Sequence, residues 1–335
     1  MSEQIGVVGA GGWGTALAKV LAEKGEQVTL WCHSTECYGN IADKRENLLY
    51  LPGIRVPGNI EVTQSLEAAV VKKFLVICAV PSHAVREVFI KATAQITPGT
   101  LMLCGTKGLE EGALRTMGEL FADLFGDANK RYHAFLSGPT FAIEVARGLP
   151  AAVTVAADSE TVAQTIQKTL NTPSLRVYTS TDVVGVQIGG VVKNVIAIAA
   201  GISDGLGLGQ NARAALITRG LAEMTRLATF MGADPMTLSG LPGLGDLILT
   251  CAGDLSRNRS VGLQIAAGKT LPEITASNRS VAEGVRNTRS LCALAQRFGV
   301  EMPIVKQMYS VLYTGKQPAD AVRELMQRSL KPEAG

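Results

Sequence analysis

The side chain in this sequence that most needs an explanation is Lys193. It is the one ionisable group within VVGVQIGGVVKNVIAIAAG, residues Val183 to Gly201, a stretch that is otherwise almost wholly apolar. A buried ammonium costs several kcal/mol unless it is paired or neutralised, so burial drives its pKa toward the range in which an amine exchanges protons near neutral pH. Lys193 is therefore the first catalytic candidate. Further along, Gly245-Asp246-Leu247-Ile248-Leu249-Thr250 sets Asp246 and Thr250 four apart on one helix face, and Asp246 suits the counter-ion of Lys193. Ser256-Arg257-Asn258-Arg259-Ser260 places two guanidiniums beside the free N–H groups of an expected helix start, a setting suited to a phosphate. Glu283 stands in the first turn of another expected helix, where a carboxylate also compensates the helix dipole.

These groups need elements to hold them. Gln4 to Val8 reads as a buried strand running directly into Gly9-Ala10-Gly11-Gly12-Trp13-Gly14 and the helical pattern TALAKVLAEKG. This is GxGxxG in its required setting between strand and helix. Gly9 permits the tight turn, Gly11 lets a pyrophosphate approach the backbone, and Gly14 lets helix and strand pack closely. The second strand, over 27–32, ends without the Asp or Glu that would hold a ribose 2′-hydroxyl. A 2′-phosphate is then not repelled, and His33, Ser34 or Arg45 is available to contact it, so NADP is expected to be accepted beside NAD.

Further strands are expected over 74–80, 100–106, 133–137, 152–156 and 176–178, with helices over 82–94, 113–125 and 160–170 between them. That alternation gives an α/β Rossmann-type domain with a parallel-rich sheet, assigned to residues 1–181. Ligands of such sheets bind at the carboxyl ends of the strands, which singles out Lys107 after Thr106 and Gly138-Pro139-Thr140-Phe141-Ala142 after Ser137. From Asp182, a fitting N-cap, the chain reads as helices only, over 211–231, 245–251, 260–267, 281–298, 303–313 and 318–330 after the lysine-bearing one. Residues 182–335 are expected to form an all-α substrate and catalytic domain.

At 335 residues and 47% hydrophobic composition the chain can build two sizeable cores. A net charge of +3 without any long basic run argues against nucleic acid as a partner. Four glycines, a glutamine, an asparagine and the central lysine argue against membrane insertion of the apolar stretch, which is expected to be the central helix of its domain. The N-terminal segment has no positive region ahead of its apolar run and passes straight into the glycine turn, so no secretory signal is read there and a cytoplasmic protein is expected. Six cysteines lie scattered without a CxxC pair, which fits a reducing compartment. Three histidines without ligand spacing give no metal site.

The motifs GAGGWGTALA, TKGLE at Thr106, SGPTFA at Ser137, GGVVKNVIAIAAG at Gly189, NARAALITRGLAEM at Asn211, GLGDLILTC at Gly243 and SRNR at Ser256 together resemble bacterial NAD(P)-dependent glycerol-3-phosphate dehydrogenases over nearly the whole chain. The resemblance implies reversible reduction of dihydroxyacetone phosphate to sn-glycerol 3-phosphate, serving glycerophospholipid synthesis. It implies Lys193 as proton donor and acceptor, and Lys107 beside both substrate and cofactor. Gly138, Thr140, Asp246, Ser256, Arg257 and Asn258 would line the substrate site. Gly12, Trp13, His33, Ala142, Arg257, Val281 and Glu283 would join Gly9, Gly11 and Gly14 at the cofactor. A homodimer is implied as well. The nearest rival is a β-hydroxyacid dehydrogenase, which needs a carboxylate clamp where SRNR offers a phosphate site. A cofactor-sensing regulator would keep the glycine turn but has no use for a buried lysine.

Overall fold

In the computed structural model, residues 4–277, 282–330 and 332–333 are described. The strands are β1 (Gln4–Val8), β2 (Gln27–Trp31), β3 (Glu46–Asn47), β4 (Leu51–Arg55), β5 (Ile60–Thr63), β6 (Leu75–Cys78), β7 (Leu101–Cys104), β8 (His133–Ser137), β9 (Ala151–Ala156) and β10 (Leu175–Ser180). Eight of them form one sheet in the order β10-β9-β8-β7-β6-β1-β2-β5. All neighbours in it run parallel except β8 and β9, which pair antiparallel with Phe135 opposite Ala156. β6, β7 and β8 are buried at every position, as parallel strands covered on both faces must be. The chain order reverses at β1, between β6 and β2, so the crevice at their carboxyl ends is the topological switch point.

Several elements here depart from the sequence expectation. β5 adds an edge strand beside β2, and β3 and β4 form a small antiparallel ribbon. A helix Thr35–Lys44, N-capped by the Ser34 hydroxyl, precedes the ribbon. β5 is only four residues long, the ribbon carries Pro52 and Gly53, and the helix has few apolar residues and buries only Cys37 and Ile41, so none of them announces itself.

Beyond Ser180 every described element is helical. The helix Val183–Gly205 starts where Asp182 accepts the Gly185 N–H at 2.8 Å. It is the one helix among the described residues long and apolar enough to cross a membrane, and 83% of its most apolar window is buried inside the protein. It is the core of the helical half, wrapped by Gly209–Phe230, Asp246–Ala252, Arg257–Ala266 and Glu283–Phe298. One crossing is made by backbone alone. A Cβ at Gly201 would lie 2.0 Å from the Arg259 carbonyl oxygen, and one at Gly262 would lie 2.1 Å from that of Ile198. Only glycines let Arg257–Ala266 approach the central helix so closely, and this contact fixes where Arg257 stands relative to Lys193.

Candidate active site

Lys193 lies near the middle of the central helix and is 6% exposed. Its Nζ donates to Asp246 Oδ1 and, at 3.1 Å, to Thr250 Oγ1. Asp246 and Thr250 reach it from one face of Asp246–Ala252, as their spacing of four requires. The second oxygen of Asp246 accepts from Lys107 Nζ at 2.6 Å, and Lys107 also donates to the Gly138 carbonyl at 3.1 Å. The loops after β7 and β8 thus meet the helical half at one fully buried carboxylate. Gly138 has φ +143°, and a Cβ there would lie 2.9 Å from Val153 Cα, so a glycine is needed to turn this carbonyl toward Lys107. Thr140 folds its hydroxyl back to the same carbonyl at 3.3 Å.

The electrostatics follow from burial. Desolvation brings the Lys193 amine down to about 8, with the Asp246 charge opposing and the Lys107 ammonium assisting. Desolvation pushes the Asp246 carboxyl upward, but the two ammoniums outweigh it and hold the group below its usual range. A lysine that titrates near 8 beside a permanently ionised aspartate is equipped to give and take a proton.

The SRNR segment opens the helix Arg257–Ala266. Ser256 is its N-cap, accepting the Arg259 N–H at 3.2 Å, and Arg259 is tied to Asp204 at 2.8 Å and Asp254 at 3.0 Å. Asn258 is buried and braced between helices, donating to Asn194 Oδ1 at 2.8 Å and accepting the Gly284 N–H at 2.9 Å. Arg257 is exposed at the first helical position, on the rim of a pocket of about 320 Å³ that Ser260 and Gln264 also line. Glu283, at the start of Glu283–Phe298, accepts the Ser82 N–H at 3.3 Å across the two halves. Burial pushes its carboxyl up to about 7, against the pull of that N–H and of Arg257, Lys107 and Lys193. Val281, also expected at the cofactor, lies outside the described residues.

At the amino end of the sheet domain, Gly9 has φ +118° and would strike the Ala79 backbone at 2.8 Å if it carried a Cβ. Gly14 packs on Gly9, where a Cβ would lie 1.9 Å from its carbonyl oxygen, and Gly12 packs against the Tyr50 carbonyl. In front of Gly11 there is open space among the described residues. The helix Gly12–Glu23 begins there with no side-chain cap and no acidic residue in its first turn. Trp13 holds its ring beside Gly105, with a buried Nε1–H that has no partner. Ala142 opens the short helix Ala142–Ala146 next to Gly12. His33 is exposed at the end of β2, its ring 5.7 Å from that of Trp31. Arg45, one of the three residues considered for a 2′-phosphate, is spent elsewhere. Its left-handed backbone, φ 52°, turns the guanidinium onto the carbonyls of Val56, Pro57 and Ile60.

The family model for the NAD-dependent glycerol-3-phosphate dehydrogenase N-terminus matches residues 4–163, and that for the C-terminus matches residues 182–323. The chain belongs to the NAD-dependent glycerol-3-phosphate dehydrogenase family. It is 52% identical over 333 residues to glycerol-3-phosphate dehydrogenase [NAD(P)+] of Citrifermentans bemidjiense, covering 99% of both chains. It is 54% identical over 327 residues to the enzyme of that name from Anaeromyxobacter sp. strain K, covering 98% of both. Among solved structures it is similar to glycerol-3-phosphate dehydrogenase from Coxiella burnetii, with TM-score 0.93, 40% identity, and 98% of this chain and 99% of that one covered.

A glycerol-3-phosphate dehydrogenase needs a dinucleotide seat, and the residues here fit one. The open face of Gly11, the uncapped helix behind it and the orphaned Trp13 N–H are groups a pyrophosphate or its ribose would satisfy. Several supports of this candidate site were not legible as such. Asn47 is fully buried and donates to the Ala10 carbonyl and the Thr15 hydroxyl, both at 2.8 Å, so it holds the glycine turn in shape. Asn194, the amide beside Lys193 in an apolar run, was the available signal for the Asn194–Asn258 brace. Ser82 contributes through its backbone, which no side-chain pattern reveals.

Proposed function

We propose that the chain catalyses reversible hydride transfer between NAD(P)H and C2 of dihydroxyacetone phosphate, giving sn-glycerol 3-phosphate for glycerophospholipid synthesis. The observation that carries this reading is Lys193, buried, bonded to Asp246 and titrating near 8 at the mouth of the sheet crevice. The bound nicotinamide supplies or accepts the hydride. During reduction, negative charge grows on the substrate carbonyl oxygen. The Lys193 ammonium stabilises that charge and protonates the oxygen, and in the reverse direction neutral Lys193 takes the hydroxyl proton. Asp246 and Thr250 fix the amine in place, while Lys107 adds a second positive charge from the sheet side.

Arg257 and the N–H groups of its helix start take the substrate phosphate, with Ser256 and Asn258 fixing their position and Gly138 and Thr140 forming the opposite wall. Gly9, Gly11, Gly12, Trp13, Gly14, His33, Lys107, Ala142, Arg257, Val281 and Glu283 would hold the cofactor. The absence of a carboxylate at the end of β2, where His33 stands, supports NADPH as the favoured form. In this reading residues 1–181 bind cofactor and 182–335 bind substrate and supply the proton. The enzyme works as a cytoplasmic homodimer without membrane insertion or nucleic acid. Following nicotinamide absorbance with and without dihydroxyacetone phosphate tests the reaction. Oxidation of NADPH that does not depend on this substrate, or none at all, overturns it.

A further inference from the structure

The loop after β8 seats two rings on glycines of the helical half. Pro139 lies over Gly245, where a Cβ would stand 3.6 Å from its Cδ and Cγ, and Phe141 lies against Gly253, where a Cβ would stand 2.6 Å from its Cε2 and Cζ. Gly245 and Gly253 bracket the helix Asp246–Ala252, so the loop meets that helix at the residue before its first and the residue after its last. Thr140, between the two rings, is the residue that the function proposed above puts at the substrate.

Gly253 has φ −77° and ψ 137°, a backbone any residue adopts, so what demands a glycine there is space. The Phe141 ring edge takes that space together with the Leu249 carbonyl oxygen, 2.8 Å from the same Cβ position. Gly253 also starts the turn into the next helix. Its carbonyl accepts the Ser256 N–H at 3.1 Å, and Ser256 is the N-cap of the helix that begins with Arg257. Asp254 and Leu255, between them, are exposed. A ring set on Gly253 therefore bears, through one backbone hydrogen bond, on the residue before Arg257.

We propose that Phe141 is a positioning residue, a spacer whose ring sets the distance between Arg257 and the loop carrying Gly138 and Thr140, and so the width of the substrate cleft at its phosphate end. The proposal rests on the function stated above, in which those residues form the two walls of the substrate site. Close-packed groups transmit a displacement instead of absorbing it, so loss of the ring shifts or loosens the turn. A misplacement of about 1 Å costs up to about a hundredfold. Lys193, Asp246 and Lys107 keep their mutual bonds, so the proton-transferring end of the site stays in place.

The full-length chain is compared with Phe141→Leu, Phe141→Val and Phe141→Ala at saturating NADPH. The KM for dihydroxyacetone phosphate should rise as the side chain shrinks, staying within about threefold for Leu and reaching about tenfold to a hundredfold for Ala. The kcat should stay within about threefold, and NADPH affinity and the pH midpoint of kcat should not move. Inorganic phosphate, competing with the substrate, should weaken as an inhibitor by the same factor as KM rises. Should Phe141→Ala not fold, Phe141→Val carries the comparison. An unmoved KM overturns the spacer. So does a loss in kcat with a shifted midpoint, which would make the ring a support of the whole Asp246–Ala252 helix, and so does Phe141→Leu as impaired as Phe141→Ala. An unaltered chain that does not turn over dihydroxyacetone phosphate counts against the proposed function instead. The spacer is then read by calorimetry with inorganic phosphate, where no binding, or binding equally tight in the unaltered chain and Phe141→Val, overturns it.

Discussion

Lys107 and Lys193 reach opposite oxygens of a single buried carboxylate, one from the sheet side and one from the central helix. Among the described residues, Asp246 is therefore the only charge within hydrogen-bond reach that offsets the two ammoniums held beside it. In Asp246→Asn the attraction that raises Lys193 is gone while the repulsion from Lys107 stays. The Lys193 midpoint should fall below about 8, and the decline of carbonyl reduction with rising pH should move to lower pH by the same amount. Breaking a buried pair also costs roughly 3–5 kcal/mol of stability, so thermal unfolding must be followed beside the pH profiles. A profile unmoved in an intact variant would place the titration on another group.

Replacing Lys193 by Met keeps much of the side-chain volume and removes the proton. Turnover should fall by about a hundredfold or more, while cofactor affinity stays near that of the unaltered chain, because the lysine lies in the half opposite the glycine turn. Activity within about threefold of the unaltered chain would make this lysine structural.

Arg257→Ala separates a phosphate site from a carboxylate clamp. The kcat/KM for dihydroxyacetone phosphate should drop by about thirtyfold to a few thousandfold, the range for removing one partner of a desolvated charge pair. Unphosphorylated dihydroxyacetone should be poor with either protein and only slightly worse with the variant. Equal losses on both substrates, or a loss matched by weaker cofactor binding, would move the phosphate to Lys107.

Ser34 caps the helix that follows β2, and aspartate accepts the Cys37 N–H equally well, so Ser34→Asp keeps the helix start. Its charge repels a 2′-phosphate and accepts from a 2′-hydroxyl. The ratio of kcat/KM for NADPH over NADH should fall by about tenfold or more. A strong NADH preference before the change would contradict the reading of the loop.

His133 opens β8 with both ring nitrogens unpartnered among Phe121 and Phe125, and burial lowers it to about 4. Its folded value lies below the ordinary 6.5, so between these two pH values the unfolded chain holds a proton that the folded chain refuses. Stability from this group is full above about 6.5 and is lost as pH falls toward 4, on the order of 3 kcal/mol in all. His133→Leu should lose less Tm than the unaltered chain between pH 7 and pH 4.5, measured by calorimetry. Parallel curves would assign acid sensitivity elsewhere.

The chemistry of the helical half was legible because it is local. Asp246 and Thr250 share a face by spacing, and a lysine in an apolar run announces its burial. The Lys107–Asp246 bond joins residues 139 apart, and only the folded crevice brings them together. Arg45 was misjudged for the converse reason. It is near His33 in sequence, but a left-handed residue at the helix end sends its side chain to the back of the loop. The edge strand β5 was missed although Ile-Glu-Val-Thr alternates, because four residues of alternation are too few to stand out from a loop.

The crossing at Gly201 and Gly262 acts, in the proposed reaction, as a ruler. With no side chain between the two backbones, the helix that starts at Arg257 has no slack by which to slide along the one that carries Lys193. The points from which the Lys193 and Arg257 side chains reach are thus set relative to each other by main chain. A ligand whose carbonyl and phosphate are spaced to match those points meets both groups at once, and one with a carbon more or fewer can satisfy only one of them. Discrimination by chain length is in this way carried by two glycines that never touch the substrate.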